Sequence, residues 1–534
     1  MNLLRALATV SGLTLLSRIT GLVRENLTAT LFGASALTDA FFIAFRLPNL
    51  LRRLFAEGAF SQAFVPMLAQ ARIEQDEAGF HRFVNRIATV LFWSLIVVSL
   101  AGVAGAPALV WLTGSGLARD PQAFDAAVVM TRWMFPYILF ISMVSLSAGI
   151  LNSWRQFAIP AFSPVLLNLS FIFSALLLSD WFDPPVYAMA AGVVLGGIAQ
   201  LAIQLPALAR IGMLPRIGLN LRAAFADPAT RTLLGRMAPA VLAVSAAQIS
   251  LMINTHIASR LAAGSVSWIN FGDRLMEFPT ALLGVALGTV LLPSLSQASG
   301  QGDEARYRAL LDWGLRLALV LAVPCALGLA LMAQPLTTLI FHYGRFRALD
   351  VQMTAVVIQA YALGLPGLIA VKVLAPGFFA RQNVRTPVRI ALAVLAITQM
   401  LNLLTVPWFA HSGLALSTSL AALLNAALLM SGLMRAGAWG PGPGWWRLGG
   451  QVALAGSLMA ALLAFAVPRV DWIALGAQPV LRAAGVLGLV AAGGLGVTVV
   501  RALNTVNTAL GFEAGFIIVV LAIVLDRMLK VTRK

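Results

Sequence analysis

Long apolar stretches recur along almost the whole chain and constrain its fold more than any other feature. A helix needs about 20 mostly apolar residues to cross a bilayer, and this pattern predicts about fourteen spans in sequence. The predicted spans are 3–32, 37–67, 83–112, 127–152, 159–179, 187–209, 232–261, 267–295, 309–332, 351–379, 385–406, 413–434, 446–467 and 479–500. Composition agrees, because only 11% of the residues are charged, against about 25% in soluble proteins.

An internal repeat groups these spans. Pro66 to Gln70 at the end of the second span resembles Pro293 to Gln297 at the end of the eighth, and an Arg-Leu pair precedes each. The stretch from Tyr137 to Arg155-Gln156 is matched in the same way by Tyr361 to Arg381-Gln382. Six helices separate the partners, so both copies have the same orientation. We therefore expect an all-α polytopic membrane protein with two parallel six-helix lobes, two C-terminal helices and a cargo cavity between the lobes.

The repeat and the connectors predict five parts. They are an N-lobe at 1–209, a cytoplasmic linker at 210–231, a C-lobe at 232–434, two further helices at 435–502 and an atypical tail at 503–534. Within the linker, 219–225 is predicted to form a short interfacial helix. Within the tail, 512–525 is apolar and just long enough for one more helix.

Basic residues in the loops predict the topology. Lys and Arg number 37 and Asp and Glu number 20, which gives a formal net charge of +17. Arginines crowd the loops on one side, among them Arg72, Arg210, Arg222 and Arg435. Cytoplasmic loops of membrane proteins carry this excess, so we expect a cytoplasmic N-terminus and no nucleic-acid partner. The first span lacks a cleavage site and is interpreted as a retained helix.

Charged side chains inside the spans are concentrated in the first, second and eighth. They are Arg18, Arg24, Glu25, Asp39, Arg46, Arg52, Arg53, Glu57, Asp273, Arg274 and Glu277. At 100° per residue, Asp39, Arg46, Asn49, Arg53 and Glu57 form one stripe. Charges at bilayer depth cost several kcal/mol, so they are usually paired or line a wet cavity.

Two interpretations of these charges stay open at this point. The group contains six arginines and five acidic residues. Pairs such as Arg46 with Asp39, or Arg53 with Glu57, can therefore be purely structural. The confinement of the whole group to three spans favours a functional cavity. Arginine in place of lysine favours an anionic cargo of phosphate geometry, because the guanidinium makes bidentate contacts and keeps its charge.

Other polar residues predict less. Lys372 lies alone in the tenth span, where it either snorkels or couples an ion. The four histidines lack ligand spacing, so no metal site is expected, and the single Cys325 excludes an intramolecular disulfide. No nucleotide-binding motif is found, so we expect no cofactor and no ATP-driven transport.

A long segment resembles a known family. Residues 39–66, reading DAFFIAFRLPNLLRRLFAEGAFSQAFVP, are similar to the MurJ (MviN) family of bacterial lipid II flippases, in the multidrug/oligosaccharidyl-lipid/polysaccharide exporter superfamily. Further matches are Ser17-Arg18 with Gly21 and Arg24, 273–279 running into 284–288, and 372–377 with Arg381-Gln382. The resemblance extends from residue 1 to about 500.

The resemblance implies a flippase rather than an enzyme. Its cargo would be lipid II, an undecaprenyl-diphosphate-linked disaccharide pentapeptide, moved by alternating access to the outer leaflet of the inner membrane for cell wall synthesis. A membrane potential or an ion gradient would drive the cycle, with membrane lipids and the cell-wall synthesis machinery as partners.

The family's essential cavity arginines match Arg18, Arg24, Arg52 and Arg274. Arg53 joins them as a substrate-binding candidate, and the family more usually has lysine at the position of Arg46. The supporting cavity and ion-pair candidates are Asp39, Arg46, Asn49, Glu57, Asp273 and Glu277. The family also places a groove for the lipid tail beside the last two helices, here 446–500.

Other functions remain alternatives. One is export of small molecules or of another polyprenyl-linked oligosaccharide by the same superfamily. Another is a polytopic glycosyltransferase, which would need a catalytic base in a sizeable extracytoplasmic loop, and the predicted loops are short. The tail from about Leu503 departs from the family and is similar to the C-terminal end of a glycine-betaine-type ABC permease.

Overall fold

The computed structural model describes residues 3–52, 59–477 and 479–492. Within these ranges the chain forms nineteen α-helices and no β-strand, which confirms the predicted all-helical class. The chain divides into two compact units, Met1–Ser267 and Trp268–Lys534. The predicted extra helix at 512–525 lies outside the described residues.

The first unit contains eleven of the helices described. They are α1 Leu3–Phe32, α2 Ala36–Arg52, α3 Ala59–Glu74, α4 Glu77–Ala104, α5 Ala106–Gly114, α6 Pro121–Met134, α7 Tyr137–Ser153, α8 Ala158–Leu177, α9 Tyr187–Arg210, α10 Leu221–Ala226 and α11 Pro228–Ser259. The short α10 confirms a helix in this part of the linker, displaced by two residues at its start; its interfacial position stays a prediction.

The remaining described helices begin with α12, which starts three residues before the unit boundary. They are α12 Ser265–Pro279, α13 Ala286–Gly300, α14 Glu304–Leu331, α15 Ala333–Phe341, α16 Ala348–Ala380, α17 Arg385–Arg435, α18 Trp445–Ala466 and α19 Pro479–Ala492. A π-helical turn, Thr280–Val285, joins α12 to α13 directly after Pro279.

Eight helical segments of the described chain are long and apolar enough to cross a membrane. They are Glu77–Ala104, Pro121–Ser153, Ala158–Leu177, Tyr187–Arg210, Glu304–Leu331, Ala348–Ala380, Arg385–Arg435 and Trp445–Arg469. The chain is therefore a multi-pass membrane protein. The predicted count of fourteen spans stays a prediction.

The two copies of the internal repeat are offset by a constant interval along the chain. Helices α4 and α14 begin at Glu77 and Glu304, and each has an aspartate N-cap one residue earlier, Asp76 and Asp303. The same interval separates the starts of α5 and α15, of α6 and α16, and of α8 and α17. Equivalent side chains also fill the cores, for Leu68 and Leu295 are both fully buried.

The structure corrects the register of one predicted match. Arg155 and Gln382, with φ of 57° and 58°, are the left-handed residues that end α7 and α16. Each is followed by an N–H that donates to a carbonyl five residues back, from Gln156 to Leu151 and from Asn383 to Phe378, as in a Schellman cap. Arg155 therefore corresponds to Gln382 and not to Arg381. Tyr137 and Tyr361 are separated by fewer residues than this constant interval, so they are likewise not equivalent.

Two predicted spans are interrupted. The third breaks at Gly105, and Pro107 follows in the first turn of α5. The fourth breaks at Phe135-Pro136, between α6 and α7. Proline lacks the N–H that a helix interior requires. The equivalent stretch of α16 has Ala362-Leu363 at this position and continues without a break.

Helix α17 folds back on itself, as the sequence predicts from two separate spans. Ala410 has φ of 48° and ψ of −127°, outside the helical region. The Thr405 hydroxyl lies 2.7 Å from the Ser417 hydroxyl, although twelve residues of continuous helix would separate them by about 18 Å. The two halves of α17 are therefore a helical hairpin.

The lobe boundary at 232 stays a prediction. Helix α11 is the repeat counterpart of α1, because their ends, at Ser259 and Phe32, are separated by the repeat interval. Within the compact unit that ends at Ser267, however, α11 packs on α3 and α5. The repeat thus assigns α11 to the second copy, whereas its packing assigns it to the first compact unit.

A buried arginine that the sequence analysis did not single out anchors α19. Arg482 is fully buried and donates to the carbonyl of Thr338 at 2.5 Å and to that of Leu475 at 3.3 Å. Thr338 lies in the last turn of α15, and its carbonyl also accepts from the backbone N–H of His342 at 3.2 Å. A cation at this end also interacts favourably with the helix dipole.

We expect Arg482→Leu to detach α19 from α15. Its loss removes the hydrogen bonds to Thr338 and Leu475 and leaves the Leu475 carbonyl without its arginine donors, at a cost of about 1–3 kcal/mol. The melting temperature of the purified protein in detergent should fall well below that of Arg447→Leu, which removes an exposed arginine of α18. Equal melting temperatures for the two variants would contradict this role of Arg482.

Candidate functional site

Arg24 is held in place by three neighbours within the first unit. One Nη donates to Glu25 Oε1 at 2.5 Å, and the other donates to Asn168 Oδ1 of α8 at 3.1 Å. The guanidinium carbon also lies 4.9 Å from the centre of the Phe171 ring. This charge on α1 is thus paired, hydrogen-bonded and stacked, which fixes its direction.

Asn168 is a site residue that the sequence analysis missed. It is 7% exposed on the apolar helix α8, and its amide nitrogen donates to the Ser17 carbonyl at 2.9 Å and to the Thr20 hydroxyl at 3.2 Å. Its oxygen accepts from Arg24. Asn168 therefore ties α8 to α1 and orients Arg24. The signal in the sequence that could have identified it is a single asparagine within an apolar span.

Arg18 differs from Arg24 in its surroundings. It lies almost two turns earlier on α1 and is exposed. Among the residues that the structure describes, no hydrogen bond or ion pair engages its guanidinium. All five of its N–H donors are therefore available to a ligand.

Asp39 is buried and caps the start of α12. Its carboxylate accepts from the backbone N–H of Gly264 at 2.7 Å, from that of Ser267 at 2.8 Å and from the Ser267 hydroxyl at 2.6 Å. All three residues belong to the first compact unit. These donors replace the ion pair with Arg46 that the sequence suggested as a structural alternative.

Three further polar residues in or near the predicted stripe, Arg46, Asn49 and Arg52, lie in the second half of α2. Arg52 donates through Nε and Nη2 to Asn49 Oδ1, at 3.0 Å and 2.9 Å, so the amide orients this guanidinium. Arg46 is half-buried on the same helix. The predicted residues Arg53 and Glu57 lie outside the described residues.

The second unit carries the predicted group on α12. Arg274 and Glu277 form an ion pair at 3.0 Å one helical turn apart, and both side chains are exposed. Asp273 is half-buried beside them. An exposed pair of this kind contributes little to stability, so Arg274 can exchange its partner for a ligand at small cost. That the two arginine groups face a common cavity stays a prediction.

Lys372 lies close to the π-helical turn. A Cβ added at Gly284 would come within 3.0 Å of Lys372 Cγ, so the glycine leaves room for the lysine stem. The lysine itself is exposed. The described residues hold no group of three or more His, Cys, Asp or Glu side chains placed for a metal ion.

The arrangement is suited to binding an anion. Arg24 and Arg52 are pre-oriented by amide side chains, whereas Arg18 and Arg274 are exposed. Guanidinium forks make bidentate hydrogen bonds to phosphate. No nucleophile with an adjacent base is needed for such binding.

Comparison with known proteins gives consistent results. The sequence profile of the family described as Lipid II flippase MurJ matches residues 28–476. The lipid II flippase MurJ of Burkholderia cenocepacia is 53% identical over 484 residues, which are 91% of this chain and 94% of that protein. The probable lipid II flippase MurJ of Buchnera aphidicola from Acyrthosiphon pisum is 42% identical over 80% of this chain and 83% of its own length.

Solved structures share the fold. A lipid II flippase MurJ in an inward closed conformation aligns with a TM-score of 0.73 at 22% identity, over 91% of this chain and 98% of that one. An inward-facing multidrug resistance MATE family transporter aligns with a TM-score of 0.65 at 13% identity, over 81% and 98% of the two chains.

Asp39→Ala is expected to destabilise the protein, because it leaves three donors without an acceptor in a buried site, a loss of about 1–3 kcal/mol. Asp120→Ala is the matched control, since Asp120 is an exposed cap whose carboxylate accepts from one N–H at 3.3 Å. Such a cap contributes about 1 kcal/mol. Heat denaturation should rank Asp39→Ala below Asp120→Ala, and the reverse order would contradict the capping role.

Proposed function

The chain belongs to the Lipid II flippase MurJ family, and on that premise we propose that it moves lipid II from the inner to the outer leaflet of the bacterial cytoplasmic membrane. The observation that carries this proposal is 53% identity to a lipid II flippase over nearly the full length of both chains. The multi-pass helical fold supports it. The proposed step breaks no covalent bond, so the protein is a transporter and not an enzyme.

The diphosphate of lipid II is the part that the arginines would bind. Arg18 supports this role because it is exposed and its donors are available, and Arg24 because Glu25 and Asn168 hold it in one direction. Arg274 would contribute from α12 and Arg52 from the end of α2, with Arg53 as a further candidate from the sequence. The polyprenyl chain would stay in the lipid, beside 446–500.

Alternating access would carry the bound head group across the membrane. Binding of a dianionic group by several guanidiniums lowers the cost of closing around it, because each buried charge gains a partner. The membrane potential, about 2.3 kcal/mol per charge per 100 mV, or an ion gradient would reset the carrier. The arginine-rich loops, including Arg210 and Arg222, support a cytoplasmic N-terminus.

Replacing the proposed diphosphate ligands tests this function. In cells depleted of their own lipid II flippase, Arg24→Ala and Arg274→Ala should fail to restore growth, because each removes a donor to the cargo. Arg345→Ala, which removes an exposed arginine from the loop between α15 and α16, should restore growth like the wild type. Full rescue by both Arg24→Ala and Arg274→Ala, at wild-type protein levels, would refute the clamp.

Asn168 should act through Arg24. Asn168→Leu removes the hydrogen bond that orients the guanidinium, so lipid II transport should fall by about tenfold, the equivalent of one hydrogen bond to a charged group. In the Arg24→Ala background the same substitution should have little further effect. Independent, additive losses in the double variant would show that Asn168 acts only on packing.

A further inference from the structure

The connection between α9 and α11, residues 211–227, is fastened to α4 and is called the linker strap below. The backbone N–H of Arg216 donates to Asn85 Oδ1 at 2.7 Å. Gly218 donates to the Thr89 hydroxyl at 2.9 Å and accepts from Trp93 Nε1 at 3.0 Å. Residues 85, 89 and 93 are spaced by four and share one face of α4. The strap thus has a fixed path, with one side against α4 and the other exposed.

The exposed side of the strap is basic. Arg210, Arg216, Arg222 and Arg231 are exposed at the strap and its ends. The one acidic residue in 210–231, Asp227, pairs with Arg86 and accepts from the N–H of Thr230. The charge of Asp227 is therefore neutralised by Arg86 within the unit, and the outward surface keeps an excess of positive charge.

Large apolar side chains share this surface with the arginines. Leu219 is 84% exposed, and four further residues of the strap are also exposed: Leu214, Ile217, Leu221 and Phe225. Exposed apolar groups beside arginines, in a short connection that includes a helix of its own, are typical of a segment at the lipid–water interface. A surface that binds nucleic acid or an acidic soluble protein has no need of so many exposed leucines.

We propose that the outward face of the linker strap docks on the anionic phospholipid head groups of the cytoplasmic leaflet. Charge complementarity selects this occupant, because arginines near a membrane surface are attracted to anionic lipids. The apolar side chains would insert among the acyl-chain ends while the guanidiniums bind phosphates. The lipid surface would thereby fix the entry of α11. This proposal rests on the cytoplasmic N-terminus proposed above and not on the nature of the cargo.

In the second copy of the repeat the connection between α17 and α18 is also fastened to α14, through different donors and acceptors. Asp312 and Arg316 of α14 are the repeat equivalents of Asn85 and Thr89. Asp312 accepts from Trp445 Nε1 at 2.6 Å, and Arg316 donates to the Pro443 carbonyl at 2.9 Å. Trp446, which follows, is 96% exposed. Side-chain hydrogen bonds from equivalent positions of α4 and α14 thus hold both connections in place.

A fluorescent label on the strap tests the proposal directly. Leu219→Cys, in the full chain with Cys325→Ala, is labelled and reconstituted into phosphatidylcholine vesicles with equal, low fractions of doxyl-labelled phosphatidylglycerol or phosphatidylcholine. We expect the anionic lipid to quench at least about twofold more strongly. The preference should vanish in 1 M salt, where the Debye length falls to about 3 Å.

Variants separate charge from folding. Replacing Arg210, Arg216 and Arg222 by Gln should abolish the preference, whereas replacing Arg119, Arg345 and Arg469 by Gln, on the opposite side, should preserve it at the same net charge. Equal quenching by both lipids in the wild type would overturn the proposal. Absence of quenching by either lipid would also overturn it, because the strap would then face water.

Discussion

A guanidinium that is largely shielded from water must be compensated, and contacts in the first unit reflect this constraint. Removing such a charge from water costs several kcal/mol when it has no partner. Arg24 meets the requirement with a carboxylate, an amide and an aromatic face. The compensation also fixes the geometry, because each partner holds the guanidinium in one direction. The contacts that stabilise the charge of Arg24 therefore also set its orientation.

The two copies of the repeat give the chain a regular helical scaffold. Counterpart helices of the two copies keep a constant offset, so that α4 and α14 begin at equivalent N-capping aspartates, Asp76 and Asp303. The intramembrane charges do not follow the repeat, since Arg24 corresponds to Leu251 and Asp39 to Val266. The helical scaffold is therefore duplicated, whereas these charged positions are specific to one copy.

Helix periodicity and punctuation made most of the fold predictable, including the hairpin around Ala410 and the short α10. The sequence could not give the partners of buried polar groups. A pair of Asp39 with Arg46 on the same helix was one alternative left open by the sequence, but Asp39 accepts from Gly264 and Ser267, which lie far along the chain. Asn168 and Arg482 were missed for the same reason, because their partners lie on helices that are distant in sequence.

The central claim is that this chain carries lipid II across the membrane. The most direct measurement is the accessibility of lipid II to a membrane-impermeant label in the outer leaflet. It would be made in cells depleted of their own flippase and supplied with this chain. The account predicts that labelled lipid II returns to its normal level within the time needed for the protein to accumulate. Lipid II that stays unlabelled while the folded protein is present in the membrane would contradict it.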